Sequence, residues 1–424
     1  MRLIRGGRVI DPANNVDALQ DIWINDGLIS AETDDPGSLS PDEIIDASNC
    51  WVVPGLVDLA ARFREPGQEH KANIQSESMA ALAGGITTVC IPPDTIPVMD
   101  TPAVVDLIQQ CAHETTTPRI ETLGAMSVNL QGQQLSEIGA LKNAGCIGIS
   151  NAMRSIRNSQ FMRNIMDYAV SHQLKVYLTP LDEDLAGDGC VHEGKCSTRM
   201  GLPGIPAVAE TTALARDLAL VEATGVEAHF CRISCARSVE MIVQAQKEGL
   251  KVTADVAAHQ LFMTENDIFG FDSLCHVRPP FRTMRDRDAL RQAIQDNIVT
   301  AICSDHQPHE ADAKLAPFGD TEPGISALET LLPLVLKLVH EGFLNESQAI
   351  AAITNQPAEI LGVNSGKLTS GMPADITIID PNLHWWLETE NINSRGKNTP
   401  FEGWEFQGKV RHTLISGTMI YTSS

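Results

Sequence analysis

The sequence lacks the features that would place the protein in a membrane or on a nucleic acid. No apolar run reaches the roughly 18–20 residues that a helix needs to cross a bilayer. The strand-like start, Met1 to Asp11, has no long apolar stretch of the kind found in a signal peptide. With 31 Lys and Arg against 54 Asp and Glu, the net charge of −23 disfavours binding to nucleic acid or anionic lipid.

The spacing of the cysteines along the sequence also shows no pairing motif. The ten cysteines are scattered singly, and even the closest two, Cys231 and Cys235, do not have the Cys-x-x-Cys spacing. Several others lie inside apolar, strand-like segments. We therefore expect buried free thiols and a cytoplasmic protein, because reducing compartments keep thiols unpaired.

Short strands dominate both ends of the 424-residue chain. Residues 1–50 alternate short apolar runs with turn residues, which predicts a set of short antiparallel strands, and the tail has the same style. Two β-rich ends around a different middle predict one small β domain, a sandwich built from residues 1–53 and 367–424.

The middle of the chain alternates strand-like and helix-like segments. The strand-like segments are Val52–Leu59, Thr87–Ile91, Glu121–Ala125, Cys146–Ser150, Lys175–Thr179, Glu227–Ile233, Lys251–Val256 and Val299–Ser304. Eight strands alternating with helices predict an α/β fold, a (β/α)8 barrel of the TIM type over residues 54–366. In such barrels the chemistry lies at the carboxyl ends of the strands.

The end of the first barrel strand carries a recognisable motif. It reads Asp58-Leu-Ala-Ala-Arg-Phe-Arg-Glu-Pro-Gly67, which resembles dihydroorotase, where this strand ends in Asp-x-His-x-His-x-Arg-Glu-Pro-Gly. The two histidines of that motif bind the metal, and their positions here hold Ala60 and Arg62. Arg64 is kept at the position whose arginine binds the substrate carboxylate.

The resemblance continues around the barrel and implies further metal-ligand positions. These hold Asn151, Thr179 and Arg232 where the family has an acidic residue and two histidines. Asp305, which resembles the catalytic base and a metal ligand, is retained. A zinc site needs at least three protein ligands, and an arginine cannot coordinate a cation. We therefore expect no zinc site, no cofactor and no enzyme activity.

The implied substrate pocket is altered as well. Asp94 replaces an asparagine that helps to bind the substrate carboxylate, so its charge would oppose Arg64. Arg278 stands where a substrate-binding asparagine is usual, and it could offset Asp94 or pair with it. His309 resembles a substrate contact. His306 and His309 could coordinate a metal with Asp305, but a hydrogen-bonded role in the fold is favoured.

The two arginines at ligand positions lead to a further expectation. A buried carboxylate without its cation costs on the order of several kcal/mol, and a guanidinium supplies both charge and directed hydrogen bonds. We expect Arg62, Arg232 or both to pair with Asp305.

Three classes of function remain open. In some bacteria an inactive dihydroorotase-like chain associates with aspartate transcarbamoylase. The resemblance therefore implies a structural partner of that enzyme's catalytic chain in pyrimidine biosynthesis, forming homo- and hetero-oligomers. The alternatives are a regulatory module that binds an anionic metabolite, and an amidohydrolase with residual or altered activity. Detectable turnover would favour the last of these.

Overall fold

The computed structural model describes residues 1–30, 41–113, 115 and 117–423. Within them the strands, β1 to β20 in chain order, are Arg2–Arg5, Arg8–Asp11, Val16–Leu19, Ile22–Asn25, Leu28–Ile29, Glu43–Asp46, Trp51–Pro54, Leu56–Asp58, Ile86–Ile91, Arg119–Ala125, Gly148–Ser150, Lys175–Leu178, Val191–His192, Gly204–Ile205, Ala228–Phe230, Val252–Ala257, Ala301–Cys303, Ile376–Trp386, Glu405–Ile415 and Thr418–Thr422. The helices, α1 to α12, are Ile74–Ala83, Pro102–His113, Ile138–Asn143, Ser159–Ser171, Glu183–Ala186, Lys195–Met200, Ala207–Thr224, Ala236–Lys247, Met284–Gln295, Leu328–His340, Glu346–Ala351 and Asn355–Leu361.

A barrel of eight parallel strands forms the centre of the molecule. Its order is β8–β9–β10–β11–β12–β15–β16–β17. The first and last strands meet just beyond their ends, where His306 N–H donates to the Ala60 carbonyl at 3.1 Å and Arg62 N–H to the His306 carbonyl at 3.0 Å. The predicted (β/α)8 barrel is confirmed, and each predicted strand segment overlaps a barrel strand.

The barrel strands are apolar because both of their faces are covered. All six residues of β9, for example, are buried, as expected for a parallel strand enclosed by helices. Helix α1 begins at Asn73, whose side chain accepts from Ser76 N–H at 2.8 Å, and it ends at Gly84. Local capping and strand composition therefore agree with the barrel.

Strands from both ends of the chain share one sheet. Its order is β20–β19–β18–β7–β2–β3, and a second sheet has the order β5–β4–β1–β6. The expectation of antiparallel pairing is wrong for two pairs, because β1 runs parallel to β6 and β2 parallel to β7. In each pair the chain returns through other strands and arrives in the same direction. Residues 31–40 of the predicted small domain lie outside the described residues, and the domain boundaries stay predictions.

A single residue joins these terminal sheets to the barrel. Gly55 alone separates β7 from β8, and its N–H donates to the Asp375 carbonyl at 2.8 Å. A Cβ atom at Gly55 would lie 2.0 Å from Thr87 Oγ1. Only glycine fits this junction.

The sequence lacks both a cysteine-pairing motif and a long apolar run, and the structure can be compared with each of these observations. No two of the ten cysteines, all within the described residues, form a disulfide, and nine of them are buried. This confirms the expectation of largely buried thiols that form no disulfides. No helix within the described residues is both long enough and apolar enough to span a bilayer.

Candidate active site at the barrel mouth

Asp305 lies at the centre of the barrel mouth. It follows β17 by two residues, and its side chain is 2% exposed. Its Oδ1 atom lies 3.5 Å from Arg62 Nη1 and 3.4 Å from Arg232 Nε. Gln307 Nε2 donates to Oδ2 at 3.1 Å. The expected pairing of Arg62 and Arg232 with Asp305 is confirmed.

The ion pairs around Asp305 are close but poorly directed. Both amino groups of Arg62, Nη1 and Nη2, have no hydrogen-bond acceptor among the described residues, and neither has Arg232 Nε. Asp305 Oδ1 likewise has no donor there. Buried polar groups in proteins are nearly always hydrogen-bonded. The positive and negative charges in this cluster therefore balance one another, but several of its buried N–H groups and one carboxylate oxygen make no hydrogen bond within the described part of the chain.

Burial sets the protonation of the cluster. Burial raises the pKa of Asp305, and the nearby charges of Arg232 and Arg62 offset only part of that rise. Burial lowers the pKa of Arg232, but the negative charges around it, Asp305 first, raise it above its usual range. Arg232 therefore stays a cation, while Asp305 takes up a proton more readily than an exposed aspartate does.

Asp94, which follows β9, is paired with Arg62. Its Oδ2 atom accepts from Arg62 Nε at 2.8 Å. Burial opposes ionisation of Asp94, but the Arg62 guanidinium more than compensates and lowers its pKa. Neither Arg278 nor Arg64, the two arginines that the sequence analysis considered beside Asp94, forms a direct ion pair with it. The charge of Asp94 is neutralised by Arg62, so it does not oppose Arg64 as strongly as the sequence suggested.

Arg64 and His309 form a second cationic region. Arg64 Nε donates to the Pro308 carbonyl at 3.1 Å, and Nη2 lies 3.1 Å from His309 Nε2. Burial and the charge of Arg62 lower the pKa of Arg64 to about 10. Lys71 Nζ lies 3.3 Å from His309 Nδ1. Burial, with the charges of Arg64 and Lys71, lowers the pKa of His309 to about 2, so its ring is neutral.

The remaining positions implied as metal ligands have structural contacts. Asn151 donates to the carbonyls of Leu130 and Arg154 at 3.1 and 3.0 Å, which ties two loops together. Thr179 Oγ1 accepts from Arg232 Nη2 at 2.9 Å. Ala60 packs in a buried apolar cluster, and its carbonyl accepts a hydrogen bond at the barrel seam.

Arg278 lines a small cavity that Arg64 does not line. The cavity measures about 10 Å³, close to the size of one water molecule. It is lined by Met153, Thr179, Pro180, Leu181, Ile205, Glu210, Arg232, Arg278, Pro279, Pro280 and Arg282. Arg278 Nε has no acceptor among the described residues. Burial lowers the pKa of Arg278, and the charge of Glu183 only partly counters this effect.

The backbone at the mouth adopts an uncommon conformation. Arg64, Arg232 and Asp305 have positive φ angles of 65°, 53° and 48°. Such conformations cost of order 1–3 kcal/mol each and concentrate at functional sites. The loops hold these three side chains in position at a cost to stability.

The residues present do not fit the metal centre that the resemblance implies. A methyl group, an amide, a hydroxyl and two guanidinium groups stand around Asp305 in place of imidazole and carboxylate donors. Guanidinium groups repel a cation and cannot ligate it. The donor set offers one carboxylate, and zinc requires three or more protein ligands.

One other cluster within the described residues could hold a metal ion. His229, Cys231 and Asp255 bring potential ligand atoms within 4.8 Å of one another, below the mouth. Both ring nitrogens of His229 are already used, by Thr253 Oγ1 at 2.8 Å and by Asp255 Oδ2 at 2.9 Å. An ion could bind only by breaking these bonds, so we assign the cluster as a hydrogen-bonded part of the fold.

His306 has the hydrogen-bonded role that was favoured for it. Its Nε2 atom lies 2.7 Å from Glu77 Oε2, and its Nδ1 accepts from Ala327 N–H at 2.9 Å. Both ring nitrogens are therefore committed to the fold, away from Asp305.

The sequence interpretation missed a buried network beside the mouth. Glu210, on α7, accepts from Ser234 N–H at 2.9 Å and from Ser238 Oγ at 2.6 Å. Arg282 donates to Ser234 Oγ at 3.0 Å and to the Ile205 carbonyl at 2.8 Å. The sequence feature that could have predicted this network is Glu210 itself, a charged residue next to the apolar stripe of α7. Lys71, beside His309, was also missed.

Comparisons with known proteins identify the family. Residues 50–238 match the family model described as "Dihydro-orotase-like". A "Dihydroorotase-like protein" of Pseudomonas aeruginosa is 45% identical, over 99% of each chain. The chain belongs to the dihydroorotase-like family. A "Dihydroorotase" of Syntrophotalea carbinolica is 39% identical, over 100% of this chain and 99% of that protein.

The solved structures agree on the fold of this dihydroorotase-like chain. An L-hydantoinase of Arthrobacter aurescens superposes with a TM-score of 0.89 at 22% identity, over 99% of this chain and 96% of its own. At this identity the likeness concerns the fold alone.

The expectation that the chain is not an enzyme is wrong. Relatives that are 38–40% identical over nearly the whole chain carry the name dihydroorotase. The expectation treated the metal as the one possible means of polarising a carbonyl. Buried, preorganised cations can also stabilise developing negative charge, and this mouth keeps a carboxylate of raised pKa between two of them.

Proposed function

We propose that the chain is a cyclic amidohydrolase of the dihydroorotase type that works without zinc at the barrel mouth. The observation that carries the proposal is the position of Asp305 between Arg62 and Arg232. Each of these three side chains has at least one buried polar atom without a hydrogen-bond partner among the described residues. The names of relatives across the whole chain length support the reaction class.

Asp305 is assigned as the general base. It accepts a proton from a water molecule as the water oxygen bonds to the ring carbonyl carbon. A base works best when its pKa lies near the working pH, and burial moves the pKa of Asp305 in that direction. When the ring C–N bond breaks, Asp305 returns the proton to the leaving nitrogen, so one water molecule is added across the amide.

Arg62 and Arg232 are assigned to the oxyanion. The carbonyl oxygen becomes negative as the water adds, and the unused N–H groups of the two guanidiniums are available to donate to it. Preorganised donors in a water-poor site stabilise such charge strongly, typically about 2.7–4 kcal/mol for a single donor. Arg64, with Lys71 nearby, binds the substrate carboxylate.

Access to this site requires movement. The cavity beside Arg232 measures about 10 Å³ and does not admit a ring. We propose that the loops carrying Met153 and Arg278 open for substrate, as active-site loops commonly do. Closure would then exclude water from the arginines.

The test is turnover with and without metal. Hydrolysis of dihydroorotate at alkaline pH and cyclisation of N-carbamoyl-L-aspartate at acid pH are measured on protein treated with a chelator. We expect turnover that the chelator does not remove and that falls at least about 100-fold in Asp305→Asn, the scale of general-base catalysis. Asp288→Asn, at an exposed aspartate, is the matched control. The proposal is overturned if Asp305→Asn leaves turnover intact. It is also overturned if the turnover of the wild-type protein does not exceed that of Asp305→Asn.

Association with the aspartate transcarbamoylase catalytic chain is a second candidate function that we propose, as a role additional to turnover. In its favour, the barrel core is intact, and the 45% identical relative is named dihydroorotase-like instead of dihydroorotase. We expect co-expression with the same organism's transcarbamoylase to give one hetero-oligomer in size exclusion with light scattering. Two separate species at micromolar concentration contradict this candidate.

A further inference from the structure

The two arginines at the small cavity each have a donor with no hydrogen bond to the described residues. Arg232 is 6% exposed, and its Nη2 donates to Thr179 Oγ1 at 2.9 Å. Its Nε lies 3.4 Å from Asp305 Oδ1 without a directed hydrogen bond. Arg278 Nε is also buried and lacks an acceptor among the described residues. Both side chains line the same cavity.

The other charged groups around the cavity are already engaged. Glu210 and Arg282 also line it, but Glu210 accepts from Ser234 and Ser238, and its Oε2 lies 3.7 Å from Arg282. Asp305 is shared between Arg232 and Arg62. Arg278 therefore has no ion-pair partner among the described residues, and the charge of Glu183 offsets its burial only in part.

Arg64 is a second cation of the mouth without an ion pair to a carboxylate among the described residues, although Asp94 and Glu322 are near enough to favour its charge. Arg64 bonds to a carbonyl, an amide and a neutral imidazole, none of which carries negative charge. Arg62 and Arg232 are balanced by Asp94 and Asp305. The mouth thus has two arginines, Arg64 and Arg278, outside the balanced cluster of Arg62, Arg232, Asp94 and Asp305.

From this charge distribution we infer that Arg278 and Arg232 form a second anion subsite, so that the mouth selects a linear dicarboxylate over a ring-closed monocarboxylate. The inference rests on the proposed function. Ring closure consumes one carboxylate of the linear compound, so the cyclic form can satisfy Arg64 but not the second subsite. A cavity of about 10 Å³ admits one carboxylate oxygen, the group that a chain terminus presents.

Arg278 is the specificity residue of this pair. Arg232 also contacts Asp305 at 3.4 Å, so changing Arg232 would disturb the base. Within the described residues, Arg278 makes no hydrogen bond to Asp305, Arg62 or Arg232, and its replacement removes one positive charge from the second subsite alone. Two charge-bearing contacts to a carboxylate give stronger binding than neutral hydrogen bonds.

The experiment compares two ligands by calorimetry on the full chain. N-Carbamoyl-L-aspartate is the dianion and dihydroorotate the monoanion. We expect wild-type protein to bind the dianion at least tenfold more tightly. Arg278→Gln should weaken the dianion about tenfold and the monoanion less than twofold, whereas Arg278→Lys should keep most of the preference, since a tenfold change corresponds to about 1.4 kcal/mol. Arg285→Gln, at an exposed arginine in the following helix, is the control.

The outcomes separate this inference from the proposed function. Equal affinity of the wild-type protein for both ligands overturns the second subsite, whether or not any variant folds, and leaves turnover unaffected. Equal weakening of both ligands by Arg278→Gln also overturns it. Absence of binding for both ligands overturns the subsite and the proposed function together.

Discussion

Two buried clusters of arginine and carboxylate lie close together in this molecule and differ in one respect. Around Glu210 and Arg282, every charged side-chain atom has a hydrogen-bond or ion-pair partner. Around Asp305, two arginines contact the carboxylate at 3.4–3.5 Å and several of their donors remain unused. A satisfied buried network rigidifies a fold, whereas unused donors in a buried site are available to a ligand. The first cluster is scaffold and the second is the candidate site.

The largest effect expected is on stability, from breaking the satisfied cluster. Glu210→Gln leaves Arg282 as an uncompensated buried charge, a change that typically costs about 3–5 kcal/mol of unfolding free energy. Chemical denaturation measures the loss, with Glu359→Gln, at an exposed glutamate, as control. Asp305→Asn should cost less, because burial already disfavours the ionised form of Asp305. Equal losses in the two variants would mean that the clusters do not differ in kind.

An intermediate effect is expected at Asp94, the satisfied carboxylate of the mouth. Its pKa is lowered in the folded protein, so its ionisation stabilises the fold above the unfolded pKa and this contribution is lost as the pH falls through the folded pKa. Asp94→Asn should therefore cost about 1.5–3 kcal/mol at neutral pH, the usual value for a charged hydrogen bond. The difference from wild type should shrink as the pH falls from 5 towards 3. A difference that does not change with pH would contradict the assignment of the Arg62–Asp94 pair.

The smallest effect expected is that of zinc. A site with a dissociation constant of about 1 µM would add about 2.7 kcal/mol of stability at 100 µM ion. We expect no rise in Tm on adding zinc and no fall on adding a chelator. A zinc-dependent rise that Cys231→Ser abolishes would place an ion in the deeper cluster and contradict its assignment as a hydrogen-bonded part of the fold.

The sequence predicted the barrel and the Asp305 pairing for clear physical reasons. Strand and helix periods repeat along the middle of the chain, and arginine at two ligand positions next to a retained aspartate leaves few ways to balance the charge. The outcome for Asp94 was harder to predict. From the sequence, Arg62, Arg64 and Arg278 were each possible partners of Asp94. Which arginine pairs with it depends on the geometry of the loops, where residues such as Arg64 adopt positive φ angles. The residue types arginine and aspartate do not predict such a backbone conformation.

The error about enzyme activity has a related origin. Counting lost ligands at Ala60, Arg62, Asn151, Thr179 and Arg232 describes what the site no longer holds. It does not describe what the replacing side chains can do once they lie within reach of one carboxylate. Their unused donors are a property of three-dimensional packing.

The junction at Gly55 has a mechanical consequence. One residue with no room for a side chain connects a strand of the terminal sheet to the first strand of the barrel, and β18 pairs with β7 along the same line. A connection this short leaves no slack for a hinge. A load applied to the terminal sheet is therefore transmitted along the β7–β8 chain into the strand that leads to Arg62.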